Sequence, residues 1–416
     1  MRVRADCKLD KSNVLLKGKQ IMGNIQFRDL QKQYNYIKNA IDERISSVVS
    51  SLHFISGPEV KELEQVLVDY VGIKHCVSCA NGTDAISIAL KAHGVGEGDA
   101  VFVPDFTFFS SGECPATVGA TPIFVDVNPD TYNISSISLE TAIEKVIDDG
   151  ELNPKAVVAV DLFGQPFDVP KLRKICDKYG LLLLEDAAQG FGSSYSDPDG
   201  TIHMACSLGD ISTTSFFPAK PLGCYGDGGA IFTDNDDIAT ICRSIAVHGK
   251  DMEHPDDPNA KYNNIRLGMN SRLDTIQAAV LLAKFDVFKN EELDSINRIA
   301  NLYSEKLRKI PGISLPKVKD GYYSSWAQYT IQLPEGTNRA SIQCRLKDAG
   351  IPTNIYYIKP MHKQGAFVNT RSAIADCPVT ENLCGSVLCL PIHPYLEDDE
   401  VEYICSKIKE EIQKQN

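Results

Sequence analysis

The sequence predicts an α/β fold in which a mostly parallel sheet is covered by helices on both faces and is followed by a smaller α+β region. Short apolar segments alternate with helix-like segments over much of the chain. Strands joined through helices in this way pair in parallel and bury both faces of the sheet. The length of 416 residues suffices for two or three domains. A hydrophobic content of 43% and a charged content of 23% are typical of a compact globular protein.

The chain is expected to begin with helices and to continue with alternating strands and helices. Helical spacing of apolar residues predicts two helices between Phe27 and Val71, separated at Ser56-Gly57, and a buried helix after Asn81-Gly82-Thr83. Further predicted helices are Ser138–Ile147 and Val169–Tyr179. The predicted strands are Val101–Pro104, Ile123–Val127, Ala156–Val160, Leu181–Leu184, Ile211–Phe217 and Ala230–Thr233.

The C-terminal part is predicted to be a smaller α+β domain. It is preceded by a long predicted helix from Leu273 to about Lys309, which Pro311-Gly312 ends. The elements predicted after it are strands Ala327–Leu333 and Ile355–Tyr357 and helices Arg339–Ala349 and Asp398–Lys414. We therefore expect an N-terminal extension at 1–24, a large α/β domain at 25–290 and a small domain at 291–416.

Charge and composition exclude several classes of protein. A formal net charge of −13 opposes binding to a nucleic acid, which requires clustered Lys and Arg. No secretory signal or membrane-spanning run is present, so we expect a cytoplasmic protein with no membrane partner. The 13 cysteines are scattered and odd in number, which fits reduced thiols. Cys76 and Cys79 have the spacing of half a metal site but no matching second pair, so no metal is expected.

Three features are candidates for chemistry. Asp186 follows the apolar strand Leu181–Leu184, at the strand end where α/β sheets build ligand sites, although an Asp there also caps helices. Lys220 lies among aromatic residues, prolines and glycines, and burial of an amine lowers its pKa and makes it nucleophilic. A surface lysine in a turn is the alternative. Asn81-Gly82-Thr83 opens a helix, where free N–H groups receive phosphate or simply form an N-cap.

Taken together, these features match the requirements of pyridoxal 5′-phosphate (PLP). This cofactor needs an anchor for its phosphate, an acid beside its pyridinium nitrogen, and an amine for a Schiff base. A phosphate cradle at Thr83, an acid at Asp186 and a desolvated lysine at Lys220 supply the three. The combination is more specific than any of its members.

Several segments resemble the DegT/StrS type of nucleotide-sugar aminotransferase, within the aspartate-aminotransferase fold. The matching segments are His53–Val60 (HFISGPEV), Asn81–Ala85 (NGTDA), Glu185–Gln189 (EDAAQ), the segment around Lys220, and Asn270–Ala279 (NSRLDTIQAA). The resemblance runs from about Ile25 to the C-terminal helix. It implies the PLP-dependent transferase fold of type I, with a mostly parallel seven-stranded sheet and a smaller C-terminal α+β domain.

The resemblance also implies roles for individual residues. Lys220 would form the Schiff base and Asp186 would keep the pyridinium nitrogen protonated, with pyridoxamine phosphate (PMP) as the intermediate form of the cofactor. Gln189 would lie near the ring hydroxyl and Phe108 would stack on the ring. The residues implied for the phosphate are Gly82, Thr83, Ser215 and Asn270 of the partner subunit, which makes the active site a property of a homodimer.

For the reaction, the resemblance implies transfer of the amino group of L-glutamate to a keto sugar carried by a nucleotide. The run Ser215–Thr233 is most similar to enzymes that aminate UDP-2-acetamido-2-deoxy-3-oxoglucuronate for bacterial surface polysaccharides. The candidate substrate residues are Arg272, Tyr356, Tyr357, Lys359 and His362. The alternatives are a dTDP- or UDP-4-keto-sugar aminotransferase, a silent PLP-binding regulator, and a sugar dehydratase, which carries histidine in place of Lys220.

Overall fold

The computed structural model describes residues 25–252, 263–373 and 375–415. The predicted extension at 1–24 lies outside the described residues. The α-helices are α1 (Leu30–Ser51), α2 (Pro58–Val71), α3 (Gly82–Ala92), α4 (Phe109–Thr117), α5 (Ser136–Asp149), α6 (Val169–Tyr179), α7 (Asp236–Ala246), α8 (Thr275–Val287), α9 (Leu293–Leu307), α10 (Arg339–Asp348), α11 (Pro378–Ser386) and α12 (Asp398–Gln413). Within the described ranges, no helix is long and apolar enough to cross a bilayer.

The strands form one large and two small sheets. They are β1 (His75–Cys79), β2 (Asp99–Pro104), β3 (Thr121–Val125), β4 (Asn153–Val160), β5 (Leu182–Asp186), β6 (Ser194–Ser196), β7 (Ile202–Met204), β8 (Ile211–Ser215), β9 (Gly229–Thr233), β10 (Tyr322–Tyr323), β11 (Tyr329–Gln332) and β12 (Val387–Leu390). The large sheet has seven strands in the order β1-β9-β8-β5-β4-β2-β3. Only β9 runs antiparallel to its neighbours. The predicted α/β class and the seven-stranded, mostly parallel sheet are therefore confirmed.

Both faces of the large sheet are buried, as the continuous apolar strands predict. In β2, Val101 and Val103 belong to one core with α3, whereas Ala100 and Phe102 belong to another with α5 and α6. Successive side chains of a strand point to opposite faces. The alternation therefore places α3 on one side of the sheet and α5 and α6 on the other.

A further core lies in the C-terminal part of the chain. Buried side chains of α9, α10 and α12 pack on the antiparallel pair β11 and β12, and Ile25 joins them. This agrees with an α+β arrangement, while the boundary near residue 290 remains a prediction.

Three elements differ from the sequence predictions. Ile355–Tyr357 is not a strand: after an isolated bridge at Asn354 the chain turns, and the wrong prediction came from the β-branched and aromatic residues there. The predicted helix Leu273–Lys309 is interrupted by the π-helical segment Phe288–Glu292. Strand β1 was not predicted, since its sequence HCVSC has little apolar character, yet four of its five residues are buried.

Glu185, next to the end of β5, is a buried acid that joins the sheet to the chain after β7. It accepts hydrogen bonds from Cys206 N at 2.8 Å, Leu208 N at 2.9 Å and Ser212 Oγ at 2.6 Å. Its carboxylate thus satisfies three donors that have no access to solvent. An unpartnered buried donor costs about 1–3 kcal/mol.

We expect Glu185→Ala to lower the free energy of unfolding by at least about 3 kcal/mol, because it leaves these donors without a partner. Chemical denaturation followed by circular dichroism measures the change. Glu140→Ala is the matched control, because Glu140 is exposed and pairs with Lys178 at the surface. Equal unfolding midpoints for the two variants would contradict the prediction.

Candidate active site

Asp186 ends β5 in the middle of the sheet, and its carboxylate is buried. Ser111 Oγ donates to Oδ2 at 2.8 Å, and Ala188 N donates to Oδ1 at 3.2 Å. Burial raises the pKa of Asp186, while the bond from Ser111, the charge of Lys220 and the bond from Ala188 act in the opposite direction. The site thus holds an acid out of water and provides donors for its ionised form.

Lys220 lies in the loop that follows β8 and is half-buried. Burial lowers the pKa of its amine to about 8; the charge of Arg28 acts in the same direction and that of Asp186 opposes it. Roughly a tenth of the amines are then neutral at pH 7, compared with about one in three thousand for an ordinary lysine. The lowered pKa agrees with the desolvated setting expected from the neighbouring residues, while the role of Lys220 as the Schiff-base amine stays a prediction.

The three residues of this chain predicted for a phosphate meet between α3 and β8. A Cβ added to Gly82 would lie 2.8 Å from the Cβ of Ser215, so only glycine allows this approach. Thr83, the next residue of α3, has its hydroxyl 2.7 Å from Ser110 Oγ. Asn81 caps the helix by accepting from Asp84 N. The positive end of the helix dipole therefore faces Ser215 at the strand end, a setting that favours an anion.

Gln189 and Tyr357 connect the sheet to the C-terminal part of the chain. Gln189 Nε2 donates to the Tyr357 hydroxyl at 3.3 Å, and its Oε1 accepts from Phe163 N at 2.7 Å. One residue predicted for the cofactor thus contacts one predicted for the substrate. Phe108 caps α4, and its ring is 54% exposed, so the predicted stacking face is accessible.

Asn270 and Arg272 line a separate open cavity of about 470 Å³. The other lining residues are Ile55, Ala80, Gly226, Asp227, Asp274 and Gln277. Ser271, between them, is buried and accepts from Ala80 N at 3.1 Å, which fixes this segment next to β1. Neither Lys220 nor Asp186 lines this cavity.

The remaining predicted substrate residues have different surroundings. Tyr356 is half-buried with its ring against Phe27, and Lys359 is exposed. His362 is buried: its Nδ1 lies 2.7 Å from Asp105 Oδ2, and its backbone N donates to Oδ1 at 2.8 Å. The structure therefore brings His362 to Asp105, not to Lys220.

Asp105, His362 and Cys377 form the one group among the described residues whose potential metal-ligand atoms lie together, within 4.8 Å of one another. The carboxylate of Asp105 already accepts two hydrogen bonds from His362. Hydrogen bonding therefore accounts for this cluster, which attaches the segment after Pro360 to the end of β2.

Sequence reasoning missed Ser110, Ser111 and Arg28. The serines occupy the first turn of α4, so a polar pair at the start of a helix after a strand was a usable signal. Arg28 gives no such signal, because it is 192 residues from Lys220 in the sequence, yet its Nη2 donates to the Lys220 carbonyl at 2.8 Å.

The geometry fits PLP. The close approach of Gly82 to Ser215 forms a cradle that a side chain would fill. A buried acid and an amine of lowered pKa interact electrostatically at the same end of the sheet. These are the anchor, the acid and the amine that PLP requires.

We expect Gly82→Ala to weaken PLP binding at least tenfold, because the methyl group would push the start of α3 away from Ser215 and disturb the phosphate cradle. Titration of the apoprotein with PLP, followed by absorbance, measures the affinity. Gly385→Ala is the matched control, since no atom lies within 4 Å of the added methyl group. Unchanged affinity in Gly82→Ala would contradict the assignment of the cradle.

Comparison with known proteins identifies the family. Residues 35–409 match the DegT/DnrJ/EryC1/StrS aminotransferase family. The chain is 43% identical over 92% of its length to UDP-2-acetamido-2-deoxy-3-oxo-D-glucuronate aminotransferase of Pseudomonas aeruginosa, of which 99% is covered. A DegT DnrJ EryC1 StrS aminotransferase from Brucella abortus has a TM-score of 0.86 at 43% identity, covering 93% of this chain and 99% of that one.

NtdA from Bacillus subtilis, solved with bound cofactor PMP, has a TM-score of 0.81 at 28% identity, covering 96% of this chain and 86% of that one. The prediction made from the motifs around Asp186 and Lys220 is therefore confirmed at the level of the family: this chain belongs to the DegT/DnrJ/EryC1/StrS aminotransferases.

Proposed function

We propose that this chain is a PLP-dependent aminotransferase that moves the amino group of L-glutamate to a nucleotide-linked keto sugar. The observation that carries the proposal is the half-buried amine of Lys220 and its electrostatic interaction with the buried carboxylate of Asp186. The sugar we propose is UDP-2-acetamido-2-deoxy-3-oxoglucuronate, for a bacterial surface polysaccharide.

In this proposal Gly82, Thr83 and Ser215, which the fold brings together, would bind the phosphate of PLP at the start of α3. Phe108 would stack on the ring, and Gln189, fixed by Phe163 N, would bind the ring hydroxyl. When bound, PLP supplies an electron sink for the carbon from which a proton is removed.

In this proposal Asp186 and Lys220 have different acid–base roles. Asp186 keeps a positive charge on the pyridinium nitrogen, and Ser111 and Ala188 hold the carboxylate in place for that purpose. Lys220 Nζ takes the proton from Cα of glutamate and later returns one to the carbon of the sugar that receives the nitrogen. A base whose pKa is near 8 is suited to both directions at neutral pH.

The identity of the sugar rests on similarity and on charge. The Pseudomonas aeruginosa relative, named for this keto sugar, covers nearly the whole chain. In our proposal Arg272 binds the sugar carboxylate as a bidentate partner. Tyr356 and Tyr357 would shape the sugar site and Lys359 would bind the diphosphate, whereas His362, held by Asp105, is left out of this proposal.

We further propose a homodimer with shared active sites. Asn270 of the partner subunit would complete the phosphate site, which agrees with the position of Asn270 in an open cavity away from Lys220. Apolar side chains near this segment are accessible: Leu267 is 93% exposed and Ile55, in the same cavity, 49%. These accessible side chains offer a surface that the second subunit of the proposed dimer would cover.

The test is an assay with glutamate and a panel of keto sugars. We expect glutamate to convert the bound cofactor to PMP. Among the keto sugars, the UDP-3-oxo-uronate should restore PLP fastest, and absorbance measures both conversions. A keto sugar that lacks the carboxylate should react with a kcat/KM at least about tenfold lower than that of the uronate. Failure to form PMP from glutamate would overturn the aminotransferase proposal, and preference for a dTDP-4-keto sugar would overturn the substrate.

Lys220→Ala should lower the rate of the glutamate half-reaction by several orders of magnitude, because the variant lacks the amine proposed as the base. Stopped-flow absorbance measures it, with Lys178→Ala at the surface as the control. A variant that keeps the wild-type rate would show that another residue is the base.

Ser111→Ala should shift the acid side of the pH–rate profile upward. The Ser111 hydrogen bond lowers the pKa of Asp186, so its loss raises that pKa further. Activity that needs ionised Asp186 is present above this pKa and lost as the pH falls through it, so the rate should drop more at pH 6 than at pH 8. Ser406→Ala on α12 is the control; a drop equal at all pH values would contradict the prediction.

A further inference from the structure

Two cations, the half-buried Arg28 and the buried Lys284, hold the loop that carries Lys220. Arg28 Nη2 donates to the carbonyl of Lys220 at 2.8 Å and lies 3.4 Å from that of Pro221. Lys284, from α8, donates to the carbonyl of Gly223 at 2.7 Å. Backbone carbonyls of a loop usually bind water. Here side chains from two segments that are distant in the sequence bind these carbonyls instead and fix the loop.

Arg28 remains charged in this position. Burial lowers its pKa, but a guanidinium has so high an intrinsic pKa that it stays protonated. Glu292 faces it and lies in a network with Gln33 and Tyr395, whose side chains donate to Glu292 Oε1 at 2.8 and 2.7 Å. The carboxylate of Glu292 therefore balances the positive charge of Arg28.

We propose that Arg28 is a positioning residue for the reaction: its guanidinium fixes the backbone of Lys220 and places a second positive charge near the Lys220 amine. The proposal rests on Lys220 as the base, which is part of the proposed function. Arg28 acts through Lys220 and is not itself assigned a contact with substrate.

The charges around Lys220 agree with this role. Asp186 faces the amine from β5 and stabilises its charged form, whereas Arg28 opposes that form from the segment before α1. Burial lowers the pKa of the amine most, and together with these two charges it leaves the pKa at about 8. Without Arg28, burial alone would oppose the attraction of Asp186, and the amine would hold its proton more tightly.

Among the groups around Arg28, His393 and Tyr395 keep one protonation state near neutral pH, whereas burial lowers the pKa of Lys284 to about 8, so that Lys284 titrates in the same range as Lys220. His393 is buried, and its pKa is lowered to about 4 by burial and by the charge of Arg28. Lys284 interacts with both Arg28 and Glu292, and Tyr395 has its pKa raised by burial. His393 and Tyr395 are thus neutral at pH 7, and Glu292 is the anion that faces Arg28.

Arg28→Gln tests the charge, because an amide still donates a hydrogen bond to the loop. The apparent pKa of Lys220 is measured in the full-length apoprotein by competitive labelling with acetic anhydride at a series of pH values and mass spectrometry. We expect about 8 in the wild type and a rise of about one pH unit in the variant. In the holoenzyme, kcat should fall about tenfold at pH 7 and recover above the new pKa.

Arg28→Lys keeps the charge and should titrate like the wild type. Arg298→Gln is the matched control, because Arg298 is an exposed arginine paired with Asp398 at the surface. An unchanged Lys220 pKa in Arg28→Gln, or a rise in Arg28→Lys equal to that in Arg28→Gln, would overturn the inference. Failure of the wild type to transaminate would instead overturn the proposed function, since the titration of Lys220 does not depend on turnover.

Discussion

The interaction between Asp186 and Lys220 is the constraint on which the rest of the site depends. A carboxylate and an amine that leave water each lose hydration, and neither loss is recovered unless charges and donors are placed near them. The attraction between the two offsets part of the cost. Ser111 and Ala188 N provide the donors that the acid lost on leaving water. The fold must therefore bring α4 and the loop after β8 to the same end of β5.

Because buried charges need other charges and donors near them, cations lie close to this site although the chain has a net charge of −13. Arg28 and Lys284 are both close to the Lys220 loop, and each bonds a backbone carbonyl in it. A loop held by fixed charges loses little freedom when a ligand binds, which favours an accurately placed amine. Net charge predicted the absence of a polymer partner, but it carries no information about such a local arrangement.

The sequence predicted the fold where local and global preferences agree. The apolar runs in β2, β4 and β5 are buried on both faces, so composition alone marks them as strands. Strand β1 is different, because its place in the sheet depends on pairing with β9, more than 150 residues later. The turn at Tyr357 was wrongly predicted as a strand, since its hydrogen bond with Gln189 is a tertiary contact that overrides the preference of its residues.

The same distinction applies within the site. Asp186 and Lys220 each have a local signature, an acid after an apolar strand and a lysine among apolar residues, so both were predicted directly. Ser111 and Arg28 act through contacts with residues 75 and 192 positions away, which no local pattern records. In the proposed mechanism, the groups that set the protonation of the site are therefore less visible in the sequence than the groups proposed to react. A motif search of this chain finds Asp186 and Lys220 and overlooks Ser111 and Arg28, which lie next to them only in the fold.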